Sequence, residues 1–440
     1  MDSQVDWGNM KAVVLAAGEG SRIWPLAETK PKHLLPIAGR PILGHVLTVL
    51  AEDGISDVTI VVGFHEEAIQ QALGDGTDYK MRLTYLRQPK WTGTASALRI
   101  AYDAVGKERF LVVYGDLVIT PDAVDAVIRK SHDCPRVIGV VRVPDASHYG
   151  VVELDRDNVT RIVEKPGSMI GKPGWVNTGM YVLDREVFEA IDATGQSKRS
   201  EYELTSSLQL LVKQGKEIKR AIVEPSDWLD VGRPWDLLLA NKRILSRLPQ
   251  KMSGTIEAGV TLKGSVSVDE GAVIKSGTYI EGPVYCGKDS KIGPNARVRP
   301  FTSLETDVVV GAFCDIKNTI VMRRSKIPHL SYIGDSVIGE DCNLGAGTVT
   351  ANVRFDRRTV RMKIKNRLSD SGQEKLGVIM GDRVQTGINV SLMPGVRIGA
   401  ESWIGPGATV SQDVPSGRIL LVKQSYEVRN RSSKNIKRVA

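Results

Sequence analysis

Two hydrophobic periodicities divide the chain. In the first half, short apolar runs alternate with amphipathic stretches: Ala12 to Leu15, Ile42 to Ala51, Val58 to Val62, a helical segment near Glu66 to Leu73, and Phe110 to Tyr114. That rhythm predicts a parallel sheet with crossover helices, an α/β Rossmann-like layered sandwich. Arg136 to Val143, Gly150 to Leu154 and Gly179 to Leu183 read as further strands. A helix from Trp235 to Leu248 closes the unit, and Pro249 marks its end because proline cannot continue a helix.

After residue 250 the period becomes six. Every sixth residue from Ile256 is apolar: Leu262, Val268, Ile274, Ile280, Cys286, Ile292, Val298, Leu304, Val310 and Ile316. Four places further on in each unit the residue is small or β-branched: Val260, Val266, Ala272, Thr278, Val284, Ser290, Ala296 and Thr302. This hexapeptide repeat predicts a left-handed parallel β-helix, each hexad forming one side of a triangular coil whose apolar positions stack inside. Ordinary hairpins would show period two with Asn-Gly or Asp-Gly turns.

The frame resumes at Ile338, Leu344 and Thr350, and again at Met380, Thr386, Leu392, Ile398, Ile404 and Val410. Two interruptions, about 322–336 and 352–377, are therefore expected to be inserted loops, which in solenoids commonly carry function. The first holds Arg323, Arg324, Lys326, His329 and Tyr332; the second holds Arg354, Arg357, Arg358, Arg361, Lys363, Lys365, Asn366 and Arg367. The expected division is an N-terminal extension at 1–9, an α/β domain at 10–250, a β-helix at 251–415 and a basic extension at 416–440.

Composition narrows the class. A chain of 440 residues is long enough for two cores, and no apolar run approaches the roughly 20 residues that a membrane-spanning helix needs. Met1 to Met10 lacks the basic start and apolar stretch of a secretory signal, so a cytoplasmic location is expected. Cys134, Cys286, Cys314 and Cys342 have neither CxxC pairing nor a histidine at ligand spacing, which points to reduced structural thiols rather than zinc. The net charge of +8 is scattered except in Arg418 to Arg438 and suits small anionic substrates; nothing else suggests nucleic acid.

Candidate chemistry begins where the first strand runs into Leu15-Ala16-Ala17-Gly18-Glu19-Gly20-Ser21-Arg22. Small residues there let backbone N–H groups approach a triphosphate, and Arg22 adds a cationic fork. Pro25, Lys30-Pro31-Lys32-His33-Leu34-Leu35-Pro36-Ile37 and Gly39-Arg40-Pro41 follow. Asp116, in Tyr114-Gly115-Asp116, sits at the carboxyl end of a predicted strand, where open α/β sheets bind ligands, and Leu117 and Val118 do not begin a helix that it would cap.

The whole string resembles the fingerprint LAAGxGxRxxPxxxxxPKxLLPI of the sugar-1-phosphate nucleotidylyltransferases, a GT-A-like fold, and every fixed position is present. The resemblance spans about residues 10 to 245. It implies that Leu15, Ala16, Ala17, Gly18, Gln88, Gly93 and Thr94 bind UTP or dTTP, with Arg22 and Lys32 on the phosphates. Matching segments at Tyr149-Gly150, Glu164-Lys165-Pro166, Asn177-Thr178-Gly179 and Trp228 to Gly232 imply that Gly150, Glu164 and Asn177 hold the sugar and Lys165 its phosphate. Asp116 and Asp230 would bind magnesium or another divalent cation.

In the second half, Pro328-His329-Leu330-Ser331-Tyr332-Ile333-Gly334-Asp335, Asn343 to Thr348 and Asn352 resemble the acetyltransferase part of the bifunctional glucosamine-1-phosphate acetyltransferase/uridylyltransferases. The loop at Arg354 to Arg367 is closer to their archaeal variety. The resemblance implies that His329 is a general base, a task that suits imidazole's pKa of about 6.5. It further implies that Tyr332 and Asn352 contact an amino sugar, Arg299 and Lys317 its phosphate, and that Asp315 orients the histidine. Acetyl-CoA would be the co-substrate, met by Ala346 and Lys375, and a homotrimer is expected. The alternative is a monofunctional glucose-1-phosphate or mannose-1-phosphate nucleotidylyltransferase whose β-helix serves only assembly or regulation.

Overall fold

The computed structural model describes residues 10–197, 199–365 and 367–428. Its first domain is built on a nine-stranded sheet, in the order Arg82–Arg87, Asp57–Val62, Lys11–Ala16, Phe110–Tyr114, Gly174–Leu183, Val137–Val143, Lys219–Ile222, Asn158–Glu164 and Gly150–Asp155. The first four strands are mutually parallel, and the faces of Lys11–Ala16 are covered on both sides, Val13 and Val14 being fully buried. That half matches the expected rhythm. The other half corrects it: Gly174–Leu183 runs antiparallel to both of its long neighbours, and Asn158–Glu164 antiparallel to Gly150–Asp155. Antiparallel neighbours need only a tight turn, here with Arg156 in the left-handed region (φ 53°), so no crossover helix separates those runs.

The β-helix consists of three parallel sheets of nine, eight and seven strands. Ile256, Ile274 and Ile292 lie in successive coils, as do Ile280 and Val298; Ile256, in the first coil, is exposed, while Ile274, Ile280, Ile292 and Val298 are buried together with the small positions Ala272, Thr278, Ser290 and Thr302. The first expected interruption is not an inserted loop. Val321 pairs with Leu304, Ile327 with Val310 and Ile333 with Ile316, so the coil continues with its register slipped by one residue. Shortened units between Ile316 and Val321, and between Ile333 and Ile338, throw a six-residue count out of phase without breaking the ladder. The second interruption is a true insertion. Ile338 pairs directly with Met380, and the chain between them carries the antiparallel hairpin Arg361–Ile364 and Arg367–Asp370.

The coil runs on to Ile419–Leu420, which pairs with Trp403–Ile404. The N-terminal extension and the end of the basic stretch, 429–440, lie outside the described residues. All four cysteines are free and buried, no group of three or more potential metal-binding side chains occurs among the described residues, and no described helix is long and apolar enough to cross a membrane.

A shared core joins the domains. Ile23, Leu26, Leu35, Ile37 and Trp235 pack with Tyr285, Ile320, Met322, Val337 and Ile379. Polar contacts flank it: Lys30 reaches Glu340 at 2.5 Å and Asp382 at 2.9 Å, and the Gly39 N–H faces both oxygens of Glu305 at 3.2 and 3.1 Å.

Candidate active sites

A cleft of about 580 Å³ opens at the carboxyl end of the parallel strands. Leu15, Ala17, Gly18, Arg22, Lys32, Gln88, Gly93, Thr94, Asp116, Gly150, Glu164, Lys165, Asn177 and Asp230 all line it; Ala16 lies behind, inside the sheet. Asp116 and Asp230 meet because Leu117–Ile119 is a strand paired with Trp228–Asp230, in the register Leu117 to Asp230. The Val231 N–H then donates to the Asp116 carbonyl at 2.9 Å.

Asp116 is buried and Asp230 half-buried, both beside cations. Lys32 Nζ bonds Asp116 Oδ2, and a Cβ placed on Gly232 would lie 3.1 Å from Asp230 Oδ2 and 3.4 Å from the Arg22 guanidinium. Burial and the charge of Asp116 push the Asp230 carboxyl up; Asp116 is held down by Lys32 despite its own burial. A carboxylate pair facing a glycine-rich turn is a donor set of the kind that a hard divalent cation takes. The residues present therefore fit magnesium.

The other end of the cleft holds a buried side-chain amide. Gln88 is 4% exposed; its Nε2 donates to Ser96 Oγ at 3.0 Å and to the Gly93 carbonyl at 3.4 Å, leaving the buried Oε1 without a partner. Gly93 is required there: its φ is +127° and a Cβ would sit 2.4 Å from the Tyr202 carbonyl. Across the cleft, Glu164 accepts from Thr205 Oγ1 at 3.1 Å and has Lys165 at 3.4 Å and Arg199 at 3.6 Å. Asn177 is fixed through Tyr181 and the Gly179 N–H.

Several lining residues had not been singled out from the sequence: Trp91, His148, Arg199 and Glu203; Lys365, expected only as one of the cations of the second interruption, also lines this cleft. Glu203 is pushed up to about 7 by burial and by neighbouring Glu164. The cluster Arg199-Ser200-Glu201-Tyr202-Glu203 has no local signature beyond its charge, and its role emerges only from the contact of Arg199 with Glu164.

On the β-helix the expected acetyl-site residues fall into separate groups. Tyr332 and Asn352 touch, the Asn352 Nδ2 donating to the tyrosine hydroxyl at 3.3 Å and also to Asp335. Asp335 in turn pairs with Lys317 at 3.5 Å and accepts from Asn318 at 2.8 Å, and Arg299, Lys317, Asn318 and Asp335 line one pocket. Asp335 is the hub of this group and had been given no role from the sequence. Its signal was available, a carboxylate within the quoted motif beside Gly334.

His329 lies elsewhere, exposed at the end of Lys326–His329 next to the exposed Leu330, with Ala312 opposite it. The register Lys326 to Asn343, carried on, brings Ala346 to the coil after it. Asp315 does not meet the histidine: it faces Arg297 at 3.8 Å and Arg299 at 3.9 Å, and its Oδ1 is buried without a partner. Asp315 pairs with Tyr332, three residues beyond His329 and on a different sheet of the β-helix, so the expected orienting contact is absent among the described residues. Lys375 is exposed and lines neither pocket.

Known proteins share this organisation. Residues 11–247 match the nucleotidyl transferase family model, and residues 280–392 match the GMPPB C-terminal domain model. The bifunctional protein GlmU of Methanocaldococcus jannaschii is 40% identical over 411 residues, covering 92% of this chain and 96% of that protein. The bifunctional sugar-1-phosphate nucleotidylyltransferase/acetyltransferase of Sulfurisphaera tokodaii is 39% identical over 417 residues, covering 94% of this chain and 100% of that protein.

Proposed function

The chain belongs to the nucleotidyl transferase family, in the group whose members join a sugar-1-phosphate nucleotidylyltransferase to an acetyltransferase, and we propose that it makes a nucleotide-linked N-acetylated sugar from an amino-sugar-1-phosphate. The observation that carries the first activity is the convergence of Arg22, Lys32, Asp116 and Asp230 at the phosphate end of a cleft whose other end offers the free Gln88 Oε1. That acceptor fits the N3–H of uracil or thymine, so UTP or dTTP is the donor.

In nucleotidyl transfer an oxygen of the sugar phosphate bonds to the α-phosphorus while the bond from that phosphorus to the β-phosphate oxygen breaks, and pyrophosphate leaves with the electron pair. Two anions must meet, so cations set the rate. Arg22 and Lys32 hold the triphosphate, Lys165 aligns the attacking phosphate, and Gly150, Glu164 and Asn177 seat the sugar. Asp116 and Asp230 would hold magnesium, which when bound supplies charge neutralisation at the phosphates.

In acetyl transfer the sugar amine bonds to the thioester carbonyl carbon of acetyl-CoA, the carbon–sulfur bond breaks, and His329 takes the amine proton. Arg299 and Lys317 supply charge for the sugar phosphate; Tyr332 and Asn352 bind its ring. His329 and this group share no hydrogen bond within the described residues, which supports a site completed by a neighbouring copy. Phe313 and Leu330, both more than 60% exposed beside His329, support burial in a homotrimer.

The match to the GMPPB C-terminal domain model favours a second reading, in which the β-helix only assembles subunits. Paired variants separate them. Arg22→Ala is expected to abolish pyrophosphate release and keep thiol release from acetyl-CoA, and His329→Ala the reverse. Thiol release that survives in His329→Ala would refute the acetyl-transfer mechanism; pyrophosphate release that survives in Arg22→Ala would refute the assignment of the cleft.

A further inference from the structure

The hairpin inserted in the β-helix delivers a side chain to the cleft of the other domain. Lys365, at the turn between Arg361–Ile364 and Arg367–Asp370, lines the cleft together with Arg22, Lys32, Asp116 and Asp230. The base of the hairpin is fixed. Val360 and Met362 are buried in the core that also contains Ile23, Val231 and Trp235, and Ile364 packs against it. The Val360 N–H donates to the Gln373 carbonyl at 2.8 Å, and the Ser371 N–H to the Val360 carbonyl at 3.1 Å.

Direction follows from that packing. Ile23 and Val231 are the chain neighbours of Arg22 and Asp230, so the hairpin enters at the phosphate end of the cleft rather than at the Gln88 end. Lys365 itself is exposed, its φ is +45°, and among the described residues no hydrogen bond or ion pair occupies its ammonium. A free cation held over a phosphate site by a buried apolar root is placed for an anion that arrives with substrate.

We propose that Lys365 is a phosphate-contacting residue of nucleotidyl transfer, supplied by the β-helix, which binds the β- and γ-phosphates and the pyrophosphate they become. The inference rests on the nucleotidyl-transfer reading of the cleft. As the α-phosphorus exchanges its bond to the β-phosphate oxygen for one to the sugar-phosphate oxygen, negative charge moves onto pyrophosphate, and an ammonium there lowers the barrier. The first activity thereby depends on the second domain.

The test compares full-length wild type with Lys365→Ala and Lys365→Arg. Pyrophosphate release is followed forward and nucleoside triphosphate formation in reverse, with thiol release from acetyl-CoA as the folding control. Loss of one charge-assisted contact is expected to lower forward kcat/KM for the nucleotide about 10- to 100-fold. The KM for pyrophosphate should rise in reverse, the KM for the sugar phosphate and the acetyl-transfer rate should hold, and Lys365→Arg should recover most of the loss. Unchanged kinetics in Lys365→Ala, or a rise confined to the sugar-phosphate KM, would overturn the proposal and leave the cleft's assignment standing. A wild type that releases no pyrophosphate overturns both.

Discussion

Glu305 offers a measurable consequence of how the domains are joined. Its carboxyl is 5% exposed, accepts the Gly39 N–H from the other domain, and is pushed up to about 8 by burial, with nearby Asp269 adding to the effect against the Gly39 hydrogen bond. At neutral pH it is therefore a neutral acid in the folded chain and an ionised carboxylate in the unfolded one. From roughly pH 5 to 8 the unfolded chain has given up a proton that the folded chain still holds, so stability falls as pH rises through that window. At roughly 1.4 kcal/mol per pH unit, the loss by pH 7 is about 3 kcal/mol, and it levels off once the folded group ionises. Glu305→Gln keeps an acceptor for Gly39 and cannot ionise. Thermal melts of both proteins between pH 5 and 9 should coincide at the acid end and diverge by several degrees by pH 8, the glutamine variant melting higher. Parallel profiles across the range would refute the reasoning.

Other consequences are nearer the sites. Gln88→Leu removes the unpartnered acceptor and should raise the KM for the nucleotide about 10-fold or more while leaving that for the sugar phosphate unchanged; steady-state kinetics with UTP and dTTP would check this, and an unaltered nucleotide KM would remove Gln88 from base recognition. Lys30→Met leaves Glu340 and Asp382 buried without their shared cation, though Arg323 still reaches Glu340, and is expected to destabilise the chain by about 3 kcal/mol in denaturant titration; a change within error would show that the ion pairs across the domain junction are idle.

Local repetition made much of this architecture readable. Apolar residues at every sixth place from Ile256 to Ile316 can be satisfied only by a coil that returns the same face inward, and those from Val268 onward in that run are buried. The convergence of Gly18 to Arg22 with Lys32 in one cleft was equally legible, because these residues stand close together in the chain. Single-residue shortenings were not. Between Ile316 and Val321 one missing position shifts all later ones, and a fixed count reports a gap where the ladder continues. The antiparallel half of the sheet was missed because strand direction is set by pairing partners distant in sequence, as with Gly174–Leu183. Contacts between domains leave no periodic trace at all: nothing around Lys30 announces Asp382, and nothing around Lys365 announces Arg22.

The account's central claim is that one chain performs both transfers, and a single reaction tests it. Pure protein would be given glucosamine-1-phosphate, acetyl-CoA, UTP and magnesium, with galactosamine-1-phosphate in parallel, while free thiol, pyrophosphate and nucleotide sugar are followed together. Thiol and pyrophosphate released with either sugar, and a product carrying both the acetyl and uridylyl groups, are predicted. Pyrophosphate release from an N-acetylated sugar phosphate with no thiol release from either amino sugar would contradict it and leave the β-helix as an assembly domain.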